Sequence, residues 1–116
     1  MEDYLIREID RIGEMLLMIA KRLGIHIGPD AILPLRQIDK VIAESGLSID
    51  INMILSLENP IIYLVEKKEF SDKALETFTE LILHSYVSDE IKHSFLKSVI
   101  TYLDNKGYYS FTLHSY

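Results

Sequence analysis

Residues 71–106 read SDKALETFTELILHSYVSDEIKHSFLKSVITYLDNK. Apolar side chains recur here at helical spacing. Leu75, Phe78, Ile82 and Tyr86 form one run, and Ile91, Phe95, Val99, Tyr102 and Leu103 form the next. Ser71 and Ser88 stand just ahead of the two runs, where a hydroxyl can accept from the free N–H groups of a first helical turn. Asp72, Asp89 and Glu90 fall in those first turns, where negative charge suits the helix dipole. The pattern predicts helices over 72–86 and 89–105, ended by Gly107. Only Val87-Ser88 joins them, so the two must fold back on each other as an antiparallel hairpin.

Upstream, Leu5, Ile9, Ile12, Leu16, Ile19 and Leu23 are spaced 4, 3, 4, 3, 4. This is an a/d seam, and it predicts one long amphipathic helix over 3–23. Ile6, Gly13 and Ala20 flank the seam on one side and Met15 on the other, a wider stripe than a two-stranded coiled coil needs. Glu2 and Asp3 open the helix, Lys21 and Arg22 close it, and Gly24 reads as its C-cap. A connector over 24–34 contains Gly28-Pro29. A helical body over 35–106 follows. Its first helix spans 35–45, with Leu35, Ile38, Val41 and Ile42 inward, and Gly46 ends it. Ser48 or Asp50 caps a short helix through Ile51, Ile54 and Leu55. Asn59-Pro60 starts another over 61–69. The tail, 107–116, alternates Tyr109, Phe111 and Leu113 with Ser110, Thr112 and His114, and period two predicts an extended segment.

Composition agrees with helix. Among 116 residues Ile and Leu number 17 and 16, but Val only 4 and Gly 5. The sequence therefore predicts a single all-α domain over 1–116, built from antiparallel helix pairs in a tetratricopeptide-like (α-α superhelix) arrangement with a long N-terminal helix. The specific tetratricopeptide signature is missing, so this likeness is architectural. The opening Asp3-Tyr4-Leu5-Ile6-Arg7-Glu8-Ile9, followed by Leu17, Ala20 and Lys21, resembles that of small uncharacterised bacterial proteins with an all-helical, tetratricopeptide-like body. The resemblance implies the same order of helices. It brings no activity and no catalytic residue.

Several chemistries are excluded or unsupported. With no Cys there is no disulfide, thiolate nucleophile or Cys-based metal site. A net charge of −6 argues against a nucleic-acid partner, which needs clustered Lys and Arg. No apolar run approaches the roughly 20 residues of a membrane span, and Met1-Glu2-Asp3 lacks the basic start of a signal peptide. The expected location is the cytoplasm. Glu90-x-x-His93 is half of a di-iron carboxylate motif, and its second half is missing. Glu90 and His93 follow the polar stripe of their helix and are expected to be solvated. Glu80 and His84, four residues apart, share a polar stripe with Lys73, Glu76 and Thr77, and read the same way. No nucleophile elbow, phosphate loop or buried acid pair appears. No catalytic residue, metal ligand or cofactor is assigned.

What remains is binding surface. One candidate is the first helix, through Leu5, Ile9, Ile12, Leu16, Ile19 and Leu23. The other is the tail, through Tyr108, Tyr109 and Phe111, since Tyr108, Tyr109, Phe111 and Tyr116 are 4 of the chain's 11 aromatic residues. The expectation is a non-catalytic protein–protein interaction or scaffold module with an unknown protein partner. A homodimer through the first helix is part of that expectation. The alternative is a small-molecule or metal-binding helical protein, favoured if a polar-lined pocket lies between the last two helices. Both surfaces also have the plain explanation that they pack on the body.

Overall fold

The computed structural model describes residues 10–25 and 32–116. The expectations for Leu5 and Ile9, and for the centre of the connector, lie outside the described residues. The helices are α1 (Arg11–Leu23), α2 (Leu35–Ser45), α3 (Ile51–Leu55), α4 (Pro60–Ile62), α5 (Asp72–Leu83), α6 (Asp89–Asn105) and α7 (Phe111–His114). A π-helical turn, Tyr63–Lys67, continues α4. No strand occurs among the described residues, where the fold is predominantly helical.

The caps follow the sequence signals. Gly24 ends α1 in the left-handed region at φ 73°, where a glycine carries no Cβ penalty. Asp50, rather than Ser48, caps α3 by accepting from the Met53 amide at 3.2 Å. Ser71 accepts from the Ala74 amide at 3.0 Å, and Ser88 from that of Ile91 at 3.3 Å. Pro60 takes the first position of α4, where its missing N–H costs nothing.

Helix α5 is the hub. Every residue from Ala74 through Ile82 is buried, because α1, α6 and α7 all pack on it. Phe78, fully buried, stands edge-on to Phe70 at 5.7 Å and to Phe95 of α6 at 6.0 Å. Leu16, Ile19 and Ala20 of α1 enter the same core, with Ile38 and Ile42 of α2, Ile51 and Ile54 of α3, and Leu64.

Four expectations about helix extent and facing fail, each for a reason visible in the structure. Helix α5 stops at Leu83, short of Tyr86, because the chain turns to pair with Leu33. The Leu33 amide donates to the His84 carbonyl at 2.7 Å, and the Tyr86 amide to the Leu33 carbonyl at 2.9 Å. Tyr86, expected inward, is thereby carried off the helix and lies 80% exposed. Ile91 also faces outward, since it lies in the first turn of α6, ahead of the buried Phe95, Val99 and Leu103. The expected helix over 61–69 loosens into the π turn. Glu69 then takes a left-handed φ of 56°, and the Phe70 amide returns to the Leu64 carbonyl at 3.0 Å. Finally the tail is not extended. Residues 111–114 form α7, with the Ser110 side chain as its N-cap. Buried Ser110 and Leu113 lie three apart, a helical spacing that the period-two alternation disguises.

Candidate interaction surfaces

The polar stripe of α5 is not solvated. Glu76 and Glu80 are 6% and 8% exposed, and His84 at the end of the helix is 2% exposed. Spaced at four and eight residues, they lie along one face of the helix. Polar groups in such a place need partners. The neighbouring threonines satisfy themselves, Thr77 donating to the Lys73 carbonyl at 3.0 Å and Thr79 to that of Leu75 at 2.7 Å. The tail serves the acids and the imidazole.

Ser110 donates its hydroxyl proton to Glu76 Oε2 at 2.5 Å, while its oxygen accepts from the Leu113 amide at 3.1 Å. Lys73 Nζ holds the other oxygen of Glu76 at 2.9 Å, and that hydrogen bond raises the lysine's pKa. Three residues beyond Ser110, Leu113 is fully buried. Three further on, the Tyr116 hydroxyl meets His84 Nε2 at 2.8 Å and also bonds the Glu80 carboxylate. A phenol has one proton. It can go to the carboxylate or to the imidazole, and the phenol oxygen can accept in return. Burial, then the charge of Glu80, pushes the Tyr116 hydroxyl up to about 12. One hydroxyl, one leucine and one phenol thus seat the tail on α5.

Docking by those three residues turns others outward. Phe111 is 82% exposed and Tyr109 56%. Their rings meet edge-on at 4.9 Å, and Tyr109 stacks on His114 at 4.4 Å with the planes 9° apart. His114 is also 3.5 Å from Asp104 of α6. The patch therefore stands on a capped helical turn whose far side is pinned. Of the tail residues predicted to form a surface, Tyr109 and Phe111 come together here, while Tyr108 is half-buried against the core.

The predicted seam of the first helix is placed differently. Leu16 and Ile19 are in the core, and Ile12 and Leu23 are half-buried against it. The seam over these residues is satisfied by its own chain. The surface left on α1 is its flank, where Met18 is 70% exposed. Met15 and Met18 line an open, largely apolar groove of about 470 Å³ against Val41 and Ser45 of α2, rimmed by Arg11 and Arg22. Arg22 is paired with Glu44 at 2.9 Å.

Glu90 and His93 lie exposed on α6, as their stripe predicts. No group of three or more potential metal-ligating side chains occurs among the described residues. No helix among them is long and apolar enough to cross a membrane. The chain matches no protein-family model, no curated protein and no solved structure.

The α5–tail network is not legible in local sequence periodicity. A polar stripe looks the same whether it faces water or a hydroxyl-bearing segment of the same chain. One signal was present: Ala74 and Leu81 add a second apolar ridge beside Leu75, Phe78 and Ile82. A helix apolar on two sides needs neighbours on both.

Proposed function

We propose that this chain is a non-catalytic protein–protein interaction module of the cytoplasm, with its helices in antiparallel, tetratricopeptide-like pairs. The reading fits the small bacterial helical proteins that its opening segment resembles. Two contacts support opposed directions for α5 and α6. Lys106, just past the end of α6, bonds Asp72 at the start of α5 at 2.8 Å, and Phe78 meets Phe95 between them.

The observation that carries the interaction reading is the aromatic patch. An 82% exposed Phe111 beside Tyr109 and His114 loses contact with water at little conformational cost, because the turn beneath is already fixed. Exposed aromatics of this kind anchor protein interfaces. The test is a double variant, Tyr109→Ser with Phe111→Ala, compared with the natural chain as affinity bait. Its melting temperature should stay within a few degrees of the parent's. Proteins retained by the natural chain at physiological salt should be lost from the variant. An unchanged set of retained proteins, or none on either bait, would sink the reading.

A second reading has its own observation, the groove between α1 and α2. At about 470 Å³ it lies within the roughly 300–1,000 Å³ range of small-molecule sites and is lined mainly by apolar atoms. A homodimer through α1 would use the same flank, since Leu16 is unavailable. Met18→Glu would abolish either role. Light scattering across concentrations then separates them, because only the dimer depends on protein concentration.

A further inference from the structure

The face of α5 that holds the tail is a built receptor with its ligand in place. Its three contacts are the Ser110 hydroxyl on Glu76, Leu113 in the core and the Tyr116 phenol beside Glu80 and His84. Residues 110, 113 and 116 share one side of a short helical segment. That segment joins α6 through Gly107, which sits in the left-handed region at φ 84°. The turn is closed by the Gly107 amide on the Asp104 carbonyl at 3.0 Å and the Tyr108 amide on that of Leu103 at 2.9 Å.

We propose that this receptor also takes the tail of a second copy, so that two chains exchange residues 108–116 reciprocally. Each copy then contributes Ser110, Leu113 and Tyr116 to the other's α5. The exchanged contacts are chemically identical to those made within one chain. The two states therefore differ only in the hinge, in the new contacts where the copies meet and in the entropy of association. Opening the hinge straightens residue 107, which glycine permits freely. The proposal does not depend on the aromatic patch binding another protein.

A substitution at the hinge separates this from ordinary fraying. A Cβ at Gly107 would meet nothing within 4 Å, so a side chain there strains the backbone alone. Gly107→Val penalises the closed turn and spares the extended hinge. It should tighten self-association about ten-fold or more, since each dimer relieves two such turns. A folded Gly107→Val chain that associates no more tightly than the parent overturns the proposal.

The natural chain decides the matter even if that variant does not fold. Equal amounts of ¹³C-labelled and unlabelled chain are unfolded, mixed, refolded together and concentrated to the millimolar range. Isotope-filtered NMR should show contacts from the Tyr116 ring of one copy to the His84 ring of the other, in a dimer fraction that rises with concentration. A monomer at every concentration overturns the proposal, and so does a dimer whose Tyr116–His84 contacts are all within one chain.

Discussion

Ser110 illustrates how much one hydroxyl can hold. It caps α7 and also donates to a carboxylate that is 6% exposed. Ser110→Ala removes the cap and leaves Glu76 with one donor fewer, so it should lower stability by about 1–3 kcal/mol in denaturant unfolding. A loss below about 0.5 kcal/mol would mean that the carboxylate does not depend on the tail.

Gly13 makes a subtler case. A Cβ there would collide with Asp10 Oδ1, the atom that accepts the Ser71 hydroxyl at 2.7 Å. Gly13→Ala therefore trades a helix-propensity gain of about 1 kcal/mol against the Asp10–Ser71 bond. In an Asp10→Ala background the gain should appear undiminished, while in the natural chain it should be largely cancelled. A double-mutant cycle measures the difference, and additivity within about 0.3 kcal/mol would refute the coupling.

Tyr116 gives the fold a sensitivity to alkali. Its hydroxyl ordinarily ionises near 10.0 and here near 12. Between those values the unfolded chain has lost the proton and the folded chain keeps it. The unfolded state then binds fewer protons, so stability falls as pH rises through that window. Below pH 10 the contribution is fully present. Melting temperatures between pH 9 and 12 should fall more steeply for the natural chain than for Tyr116→Phe, and parallel curves would contradict the assigned contact.

At the scale of elements, α5 sets the arrangement. It packs against α1, α6 and α7, and its central Phe78 bridges Phe70 and Phe95. Replacing Phe78 or Phe95 with Ala should cost about 3–5 kcal/mol through lost burial plus cavity. Less than 1 kcal/mol at both sites would mean the facing surfaces are misassigned. These two positions, together with the caps at Ser71 and Ser88 and the helices at 35–45, 51–55 and 89–105, could be read from the sequence. Each depends on residues within a turn or two of one another. What escaped depended on distant partners. Leu33, at the end of the connector, stops α5 early, and Ser110 and Tyr116 bury a stripe that lies far from them along the chain. Local periodicity carries no record of such pairings. The tail's alternation misled for a related reason: with three of its residues docked and two aromatics displayed, so short a segment samples too few turns to show its period.

On the scale of the whole molecule, a Cα radius of gyration of 13.6 Å matches the roughly 13 Å expected for a compact chain of this length. Its polar interior is concentrated along one helix and completed by the last nine residues. That division gives the chain two kinds of surface: the α5 face that grips the tail, and the aromatic patch displayed by the gripped tail. Patch and receptor both follow from the seating of the tail. The most direct measurement is the solution NMR contact between the rings of Tyr116 and His84, whose centroids lie 5.8 Å apart. Cross-peaks between those rings are expected, with the Leu113 methyls shifted away from random-coil positions. Random-coil shifts throughout 110–116, with no contact from Tyr116 to α5 or His84, would contradict it.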